Sequence, residues 1–169
     1  FATAGYRVAL VDADLVGRGL TSELRERGSP GLCDAFEAAD ASSFVRATQT
    51  DNLWVLPVGL AHEDEVERLS KARIAPILDN LRARYDIVLV DLPPIIASVD
   101  AEYIARRADI VVLVAGAITT QSGDLRAASK VLEKNQPRAV ASILNRVRVK
   151  GGPAFAQAAY PSRPVKLIV

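Results

Sequence analysis

Five apolar segments that do not alternate with polar residues constrain the fold of this chain more than any other feature. They are rich in Val, Ile and Leu, and a strand with apolar residues on both sides is covered on both faces, as in a parallel sheet. The predicted strands are Tyr6–Ala13, Asn52–Val58, Asp86–Leu92, Asp109–Gly116 and Ala139–Asn145. We therefore predict a buried, mostly parallel sheet.

Helical patterns lie between these strands. We predict helices within residues 31–39, 41–48, 62–85, 98–108 and 120–135. Pro76 is expected to break or kink the third of these helices, because proline lacks the backbone N–H. Strands that alternate with helices indicate an α/β domain, doubly wound, with helices on both faces of the sheet.

The pattern fades after Asn145, where the sequence becomes basic and rich in proline. We predict a domain over residues 1–147 and an irregular C-terminal tail over residues 148–169. The chain opens with FATAGYRV, which resembles the last turn of a helix ended by Gly5 in the left-handed conformation. We interpret the chain as a fragment whose N-terminal part is missing.

Composition excludes some classes of function. The chain has 169 residues and a formal net charge of +1, so no global field attracts nucleic acid, and we expect no nucleic-acid partner. Cys33 is the single cysteine and cannot form an internal disulfide, which favours a reducing compartment. No apolar run reaches the length of a membrane span.

Acidic residues follow two of the predicted strands. Asp12 and Asp14 end the first strand and Asp91 ends the third. Parallel sheets bind ligands at the carboxyl ends of their strands, and carboxylate oxygens are ligands that Mg²⁺ prefers. The acids therefore predict a metal–nucleotide site, although one of the pair could instead cap a helix and Asp91 could cap the next turn.

Several motifs resemble the bacterial tyrosine kinases (BY-kinases), which are P-loop proteins of the MinD/ParA superfamily. ALVDADL resembles their Walker A′ motif, and YDIVLVDLPP resembles their Walker B motif. GLCDAF, NLWVLPVG, SILNRV and the segment from VDAEYIARRAD to VLEK match the rest of the family's core in order and spacing. The resemblance covers about residues 1–147.

This resemblance implies a role for each matching residue. Asp12 and Asp14 would be the Walker A′ acids, which organise Mg²⁺ and help to activate the acceptor tyrosine hydroxyl. Asp91 would be the Walker B acid, which acts on Mg²⁺ mainly through water. Asn145 would contact the adenine of ATP, and Arg146 would flank the base. The implied cofactors are ATP and Mg²⁺.

The resemblance also implies a cellular role. It indicates a cytoplasmic protein-tyrosine autokinase that regulates polymerisation or export of exopolysaccharide or capsule. The kinase would work at the inner face of the plasma membrane, fused to or paired with a membrane chain-length regulator (a polysaccharide co-polymerase), and as a homo-oligomer. The alternatives are a MinD/ParA-type positioning ATPase and a non-catalytic pseudokinase that acts as a scaffold of the export complex.

Three departures from the family pattern bear on this interpretation. The sequence contains no G-x-x-x-x-G-K-[ST], the Walker A motif; we expect that loop upstream of Phe1 and expect residues 1–169 alone to be inactive. Val16 stands where the family usually has arginine, and Arg18 is the nearest arginine. The tail has one tyrosine, Tyr160, instead of the family's tyrosine cluster.

Overall fold

The structure is a computed structural model of the chain, and it describes residues 1–38, 40–60, 71–147 and 165–168. The described residues form two compact units that meet in sequence between Pro93 and Pro94. The first unit contains the predicted Walker A′ and Walker B strands. The second contains Asn145 and Arg146, which were predicted to contact the nucleotide base.

The first unit is built on four strands and three helices. Its strands are β1 Val8–Asp12, β2 Arg46–Ala47, β3 Leu53–Leu56 and β4 Ile87–Leu92, and its helices are α1 Gly19–Glu23, α2 Leu32–Ala38 and α3 Lys71–Arg84. The strand order is β2-β3-β1-β4. β1 pairs in parallel with both β3 and β4, whereas β2 pairs antiparallel with β3. The predicted parallel sheet is confirmed here.

Continuous apolar sequence explains why β1 and β4 contribute to the core of this unit. Val8 and Val11 of β1 and Val90 and Leu92 of β4 are all buried. Ile77 and Leu81 of α3 are fully buried as well. The helix therefore contributes one apolar stripe to the core, as an amphipathic helix on a sheet does.

The second unit contains two helices and three strands. They are α4 Val99–Arg107, β5 Val111–Gly116, α5 Ser122–Asn135, β6 Val140–Asn145 and β7 Val165–Ile168. The strand order is β7-β5-β6, with β5 and β6 parallel and β7 antiparallel to β5. Ser98 begins α4, and its hydroxyl accepts a hydrogen bond from the N–H of Ala101 (3.2 Å).

Residues 41–48, which we predicted as a helix, form a turn and the edge strand β2 instead. Arg46 and Ala47 pair with Val55 and Trp54 of β3 in a hairpin. The Thr48 hydroxyl donates to the carbonyl of Leu53 (3.0 Å) and closes that hairpin. Threonine disfavours a helix here because its side chain offers the backbone this local alternative.

Pro76 does not break its helix, because α3 runs through it from Lys71 to Arg84. Pro76 lies on the exposed side of α3, where water can satisfy the carbonyl that proline leaves without an N–H partner. The N-terminal part of this predicted helix, residues 62–70, lies outside the described residues.

Residues 165–168, which we predicted as irregular tail, form β7 and add antiparallel to β5. The open edge of β5 offers N–H and C=O groups that an extended segment can satisfy, and this pairing is not visible in the local sequence. The rest of the predicted tail, including Tyr160, lies outside the described residues. At the other end of the chain, Gly5 has φ 92°, the left-handed conformation that the sequence predicts.

Candidate functional site

Asp12 and Asp91 lie side by side at the carboxyl ends of two adjacent parallel strands. They are partners in the register of β1 and β4. The hydrogen bonding between the two strands continues one residue further, where the N–H of Ala13 donates to the carbonyl of Asp91 (2.9 Å). The sequence predicts these acids at one edge, and pairing of their strands brings them together.

These acids are buried, although each would be expected to prefer water. Asp12, Asp14 and Asp91 are 0%, 1% and 6% exposed. A buried carboxylate costs free energy unless hydrogen bonds or charges satisfy its oxygens. The partners of each oxygen therefore decide what this edge of the sheet can do.

Both oxygens of Asp12 accept hydrogen bonds from the backbone. Oδ1 accepts from the N–H of Asp14 (3.1 Å), and Oδ2 accepts from the N–H of Thr21 (2.7 Å). Thr21 lies in the short helix α1, so the carboxylate ties the end of β1 to that helix. Each carboxylate oxygen has two lone pairs, and one N–H occupies only one of them.

Asp14 organises the loop that follows β1. Its Oδ1 accepts a hydrogen bond from the N–H of Gly17 (2.7 Å), and its carbonyl accepts from the N–H of Arg18 (2.8 Å). Asp commonly stabilises a turn in this way, by bonding to backbone donors a few residues ahead. In this structure the two Walker A′-like acids therefore shape their own loop.

Burial raises the pKa of Asp12 above its ordinary value. Hydrogen bonds from the backbone and side chain of Thr21 and from the backbone of Asp14 oppose that rise, because they stabilise the ionised form. The Asp14 carboxylate adds a small effect in the same direction as burial. Two acids this close favour a cation beside them.

The carboxylates suit a Mg²⁺ ion that is bound mainly by water and phosphate oxygens. Among the residues that the structure describes, no three His, Cys, Asp or Glu side chains are placed to hold a metal ion together. Mg²⁺ in nucleotide enzymes is usually held by one or two carboxylates, with waters and phosphate oxygens completing its shell. Buried carboxylates at adjacent strand ends suit that mode of binding. One or two of Asp12, Asp14 and Asp91 would hold the Mg²⁺.

Asn145 and Arg146 lie in the second unit, whereas the three acids lie in the first. Asn145 ends β6, where it is the register partner of Gly116, and its side chain is exposed. Its Oδ1 accepts a hydrogen bond from the N–H of Arg146 (2.8 Å), whose φ of 58° turns the chain away from the strand. The predicted contact of these two residues with adenine stays a prediction.

The loop after Asp14 differs from the family pattern at one exposed position. Val16, where the resemblance leads us to expect arginine, is 73% exposed. Arg18 has a left-handed φ of 48°, and its Nε donates to the carbonyl of Leu15 (2.9 Å). This contact places the guanidinium of Arg18 back on the same loop.

Sequence reasoning missed Thr21. It lies nine residues after Asp12, belongs to none of the motifs, and is 4% exposed. Apolar periodicity offers no signal for a polar side chain that is buried by contacts with residues far away in the sequence. Thr21 is identified only by its hydrogen bonds to Asp12 of β1 and to Val58, which follows β3.

Known proteins similar to this chain are bacterial tyrosine-protein kinases. The protein named "Putative tyrosine-protein kinase EpsB", from Ralstonia nicotianae, is 34% identical over 134 residues, covering 78% of this chain and 18% of EpsB. The tyrosine-protein kinase CpsD of Streptococcus pneumoniae serotype 4 is 25% identical over 151 residues, covering 88% of this chain and 66% of CpsD. The chain thus spans about a fifth of EpsB and just under two thirds of CpsD. No protein-family model matches the chain.

Solved structures agree with this similarity. The kinase domain of VpsO superposes with a TM-score of 0.75 and 27% identity, covering 85% of this chain and 71% of that domain. The septum site-determining protein MinD of Pyrococcus horikoshii, solved with Mg-ADP, has a TM-score of 0.67 and 23% identity, covering 85% of this chain and 59% of MinD. The MinD comparison shows the shared fold. No helix in the described ranges is long and apolar enough to cross a membrane.

Proposed function

The chain belongs to the bacterial tyrosine kinases (BY-kinases) of the MinD/ParA-type P-loop fold, and we propose from this that it carries the acidic part of an ATP–Mg²⁺ site in a protein-tyrosine kinase. The observation that supports the proposal most is the burial of Asp12, Asp14 and Asp91 at the carboxyl ends of adjacent parallel strands. Backbone hydrogen bonds give Asp12 and Asp14 a structural role as well, but several buried acids gathered at one edge of a sheet are typical of a functional site.

Each acid has its own part in the proposed reaction. ATP with Mg²⁺ supplies the phosphoryl group and the charge that stabilises its transfer. Asp12 and Asp14 would bind Mg²⁺. They would also help to activate the acceptor tyrosine hydroxyl by accepting its proton. Asp91 acts through water. Asn145 and Arg146 contact the nucleotide base.

The site needs a loop that these residues do not contain. Residues 1–169 have no G-x-x-x-x-G-K-[ST], so the phosphate-binding loop of such a kinase would come from outside them. In the cell, the proposed kinase regulates exopolysaccharide or capsule polymerisation and export at the inner face of the plasma membrane. A membrane chain-length regulator, fused or separate, is its partner, and the kinase works as a homo-oligomer.

The test is phosphotransfer by the protein produced from its complete gene. We expect Mg²⁺-dependent incorporation of phosphate from ATP into tyrosine, and we expect Asp91→Asn to reduce the rate by about 100-fold or more, because it removes a charge from the metal side of the site. The matched control is Asp109→Asn, which changes an exposed aspartate of the second unit and should leave the rate unchanged.

A second function, that of a MinD/ParA-type positioning ATPase, has one observation in its favour. Val16 stands where the kinase pattern has arginine, and the fold is shared with MinD as well as with kinase domains. ATP hydrolysis without phosphotyrosine would indicate a positioning ATPase. Absence of both activities, with folded protein, would indicate the non-catalytic scaffold and would contradict the kinase.

A further inference from the structure

We propose that Thr21 is a positioning residue for Asp12. It fixes the orientation of that carboxylate toward the proposed Mg²⁺. The inference rests on the proposed function, because it assigns a role toward the same Mg²⁺. It adds a residue that no motif contains. The argument depends on two hydrogen bonds of one buried residue, one from its backbone N–H and one to its side chain.

The backbone of Thr21 contacts Asp12. Its N–H donates to Asp12 Oδ2 at 2.7 Å, and both residues are buried, Thr21 at 4% exposed and Asp12 at 0%. Thr21 therefore holds one oxygen of the carboxylate, while the N–H of Asp14 holds the other (3.1 Å).

The Thr21 hydroxyl is itself fixed from the opposite side. Its Oγ1 accepts a hydrogen bond from the N–H of Val58 at 3.0 Å, and Val58 is fully buried. Thr21 thus binds Asp12 through its backbone N–H and Val58 through its side chain. The residue thereby connects the acid at the end of β1 to the segment that follows β3.

That segment is itself rigid. The carbonyl of Val58 accepts from the N–H of Cys33 (2.9 Å), and the carbonyl of Pro57 accepts from the N–H of Leu32 (2.8 Å). An added Cβ at Gly31 would lie 2.1 Å from the carbonyl oxygen of Pro57, so the two segments touch without room for a side chain. Thr21 therefore connects Asp12 to a point that cannot shift easily.

The consequence is a carboxylate with little freedom to rotate. Turning Asp12 about its side-chain torsions would break its bonds to Thr21 and to the N–H of Asp14 together. Groups that orient a metal-binding side chain typically change metal affinity 10-fold to 100-fold when they are removed. Loss of the Thr21 hydroxyl should therefore weaken metal binding more than its effect on stability explains.

The experiment measures binding of Mn²⁺, as a probe for Mg²⁺, to the complete-gene protein in the presence of ADP, by electron paramagnetic resonance of the free ion. Thr21→Val removes the hydroxyl at nearly constant volume, and Thr21→Ser keeps it. We expect the Mn²⁺ dissociation constant to rise about 10-fold in Thr21→Val and to stay within about threefold of wild type in Thr21→Ser. Thr21→Ala is measured as well, in case Thr21→Val fails to fold. Its smaller side chain leaves room for a water at the N–H of Val58. We expect Thr21→Ala to raise the Mn²⁺ dissociation constant as much as Thr21→Val does.

The matched control is Thr48→Val. The Thr48 hydroxyl bonds within the β2–β3 turn, accepting from the N–H of Thr50 (3.1 Å), in the same unit and away from the acids. Its loss should lower the melting temperature and leave Mn²⁺ affinity unchanged.

Three results would overturn the inference in distinguishable ways. Wild-type Mn²⁺ affinity in folded Thr21→Val or Thr21→Ala, with a lowered melting temperature, would make Thr21 structural only. Equal loss of affinity in Thr48→Val would show that any local destabilisation weakens the site. Wild-type protein that binds no Mn²⁺–ADP would contradict the proposed function itself, and with it the role of Thr21.

Discussion

Two aspartates of the first unit ionise in opposite environments. Burial raises the pKa of Asp12, whereas hydrogen bonding to Arg7 lowers the pKa of Asp86. The contribution of Asp12 to folding is therefore present at low pH and is lost as pH rises through its raised folded pKa. Asp86 behaves in the opposite way: its contribution is present above its unfolded pKa and is lost as pH falls through its lowered folded pKa.

The first prediction concerns the pair of Arg7 and Asp86. Asp86 accepts from the backbone N–H of Arg7 (2.8 Å) and from its guanidinium (2.7 Å), which joins the starts of β1 and β4. We expect Asp86→Asn to lower the melting temperature at pH 7, and we expect the difference from wild type to shrink as pH falls below about 4, the ordinary pKa of aspartate, and through the lowered folded pKa of Asp86. Circular dichroism melts at several pH values measure this.

The control for that prediction is the exposed pair of Arg138 and Asp109. Their side chains are 80% and 60% exposed and meet at 2.9 Å. Exposed ion pairs contribute little to stability, so Asp109→Asn should change the melting temperature less than Asp86→Asn at pH 7. A difference for Asp86→Asn that stays constant as pH falls from 7 to about 2 would contradict the assignment.

At the scale of elements, the junction between α2 and the end of β3 determines the geometry around the acids. Gly31 and Gly59 face each other there, and an added Cβ at Gly59 would lie 2.4 Å from Asp34 Oδ2. Asp34 Oδ2 accepts from the N–H of Gly31 at 2.7 Å and from the N–H of Leu60 at 3.2 Å. The junction is therefore held by backbone contacts that leave no room for side chains.

The second prediction follows from that close approach. Gly31→Ala places a Cβ 2.1 Å from the carbonyl oxygen of Pro57, so the backbone must shift. We expect a loss of about 1–3 kcal/mol in the free energy of unfolding, the usual cost of overpacking. Urea denaturation of the wild type and the variant measures it.

Gly123→Ala is its matched control. An added Cβ at Gly123, in the first turn of α5, meets nothing within 4 Å. Alanine is favoured over glycine in helices by about 0.5–1 kcal/mol, so this substitution should stabilise the chain. If Gly31→Ala proved as stable as wild type, the close approach of Gly31 to Pro57 would be wrong.

At the scale of the whole molecule, β6 is an exposed edge strand. It ends the strand order of its unit, and all six of its residues are exposed. The strand has no charged residue, and Val140, Ile143 and Leu144 are each at least half exposed. Uncharged, apolar edge strands pair readily with other chains.

The third prediction is that residues 1–169 self-associate through β6. We expect association that increases with concentration, and Ile143→Lys should raise the monomer fraction without lowering the melting temperature, because Ile143 is 51% exposed. Sedimentation velocity measures the fraction. Ile118→Lys, in an exposed turn outside any strand, is the control and should leave the association unchanged. Equal effects of the two substitutions would assign the association to general hydrophobicity.

The sequence predicted most elements of this fold because each apolar run is a local property. Five strands and four of the five predicted helices occur where the runs and patterns predicted them, with ends that differ by a few residues; the start predicted for the third helix, residues 62–70, lies outside the described residues. The hairpin at Arg46 and the strand at Val165 were missed, because each exists through pairing with a distant strand. The short helix α1 was missed too; its Thr21 N–H bonds to Asp12, nine residues away.

By itself, the sequence determined the fold class, the family and the acids at the strand ends, because apolar runs and short motifs are written in consecutive residues. The tertiary structure alone decided that Asp12 and Asp91 are register partners and that Thr21 connects Asp12 to Val58. Hydrogen-bond partners and burial depend on which strands meet, and strand pairing joins residues that lie far apart in the chain.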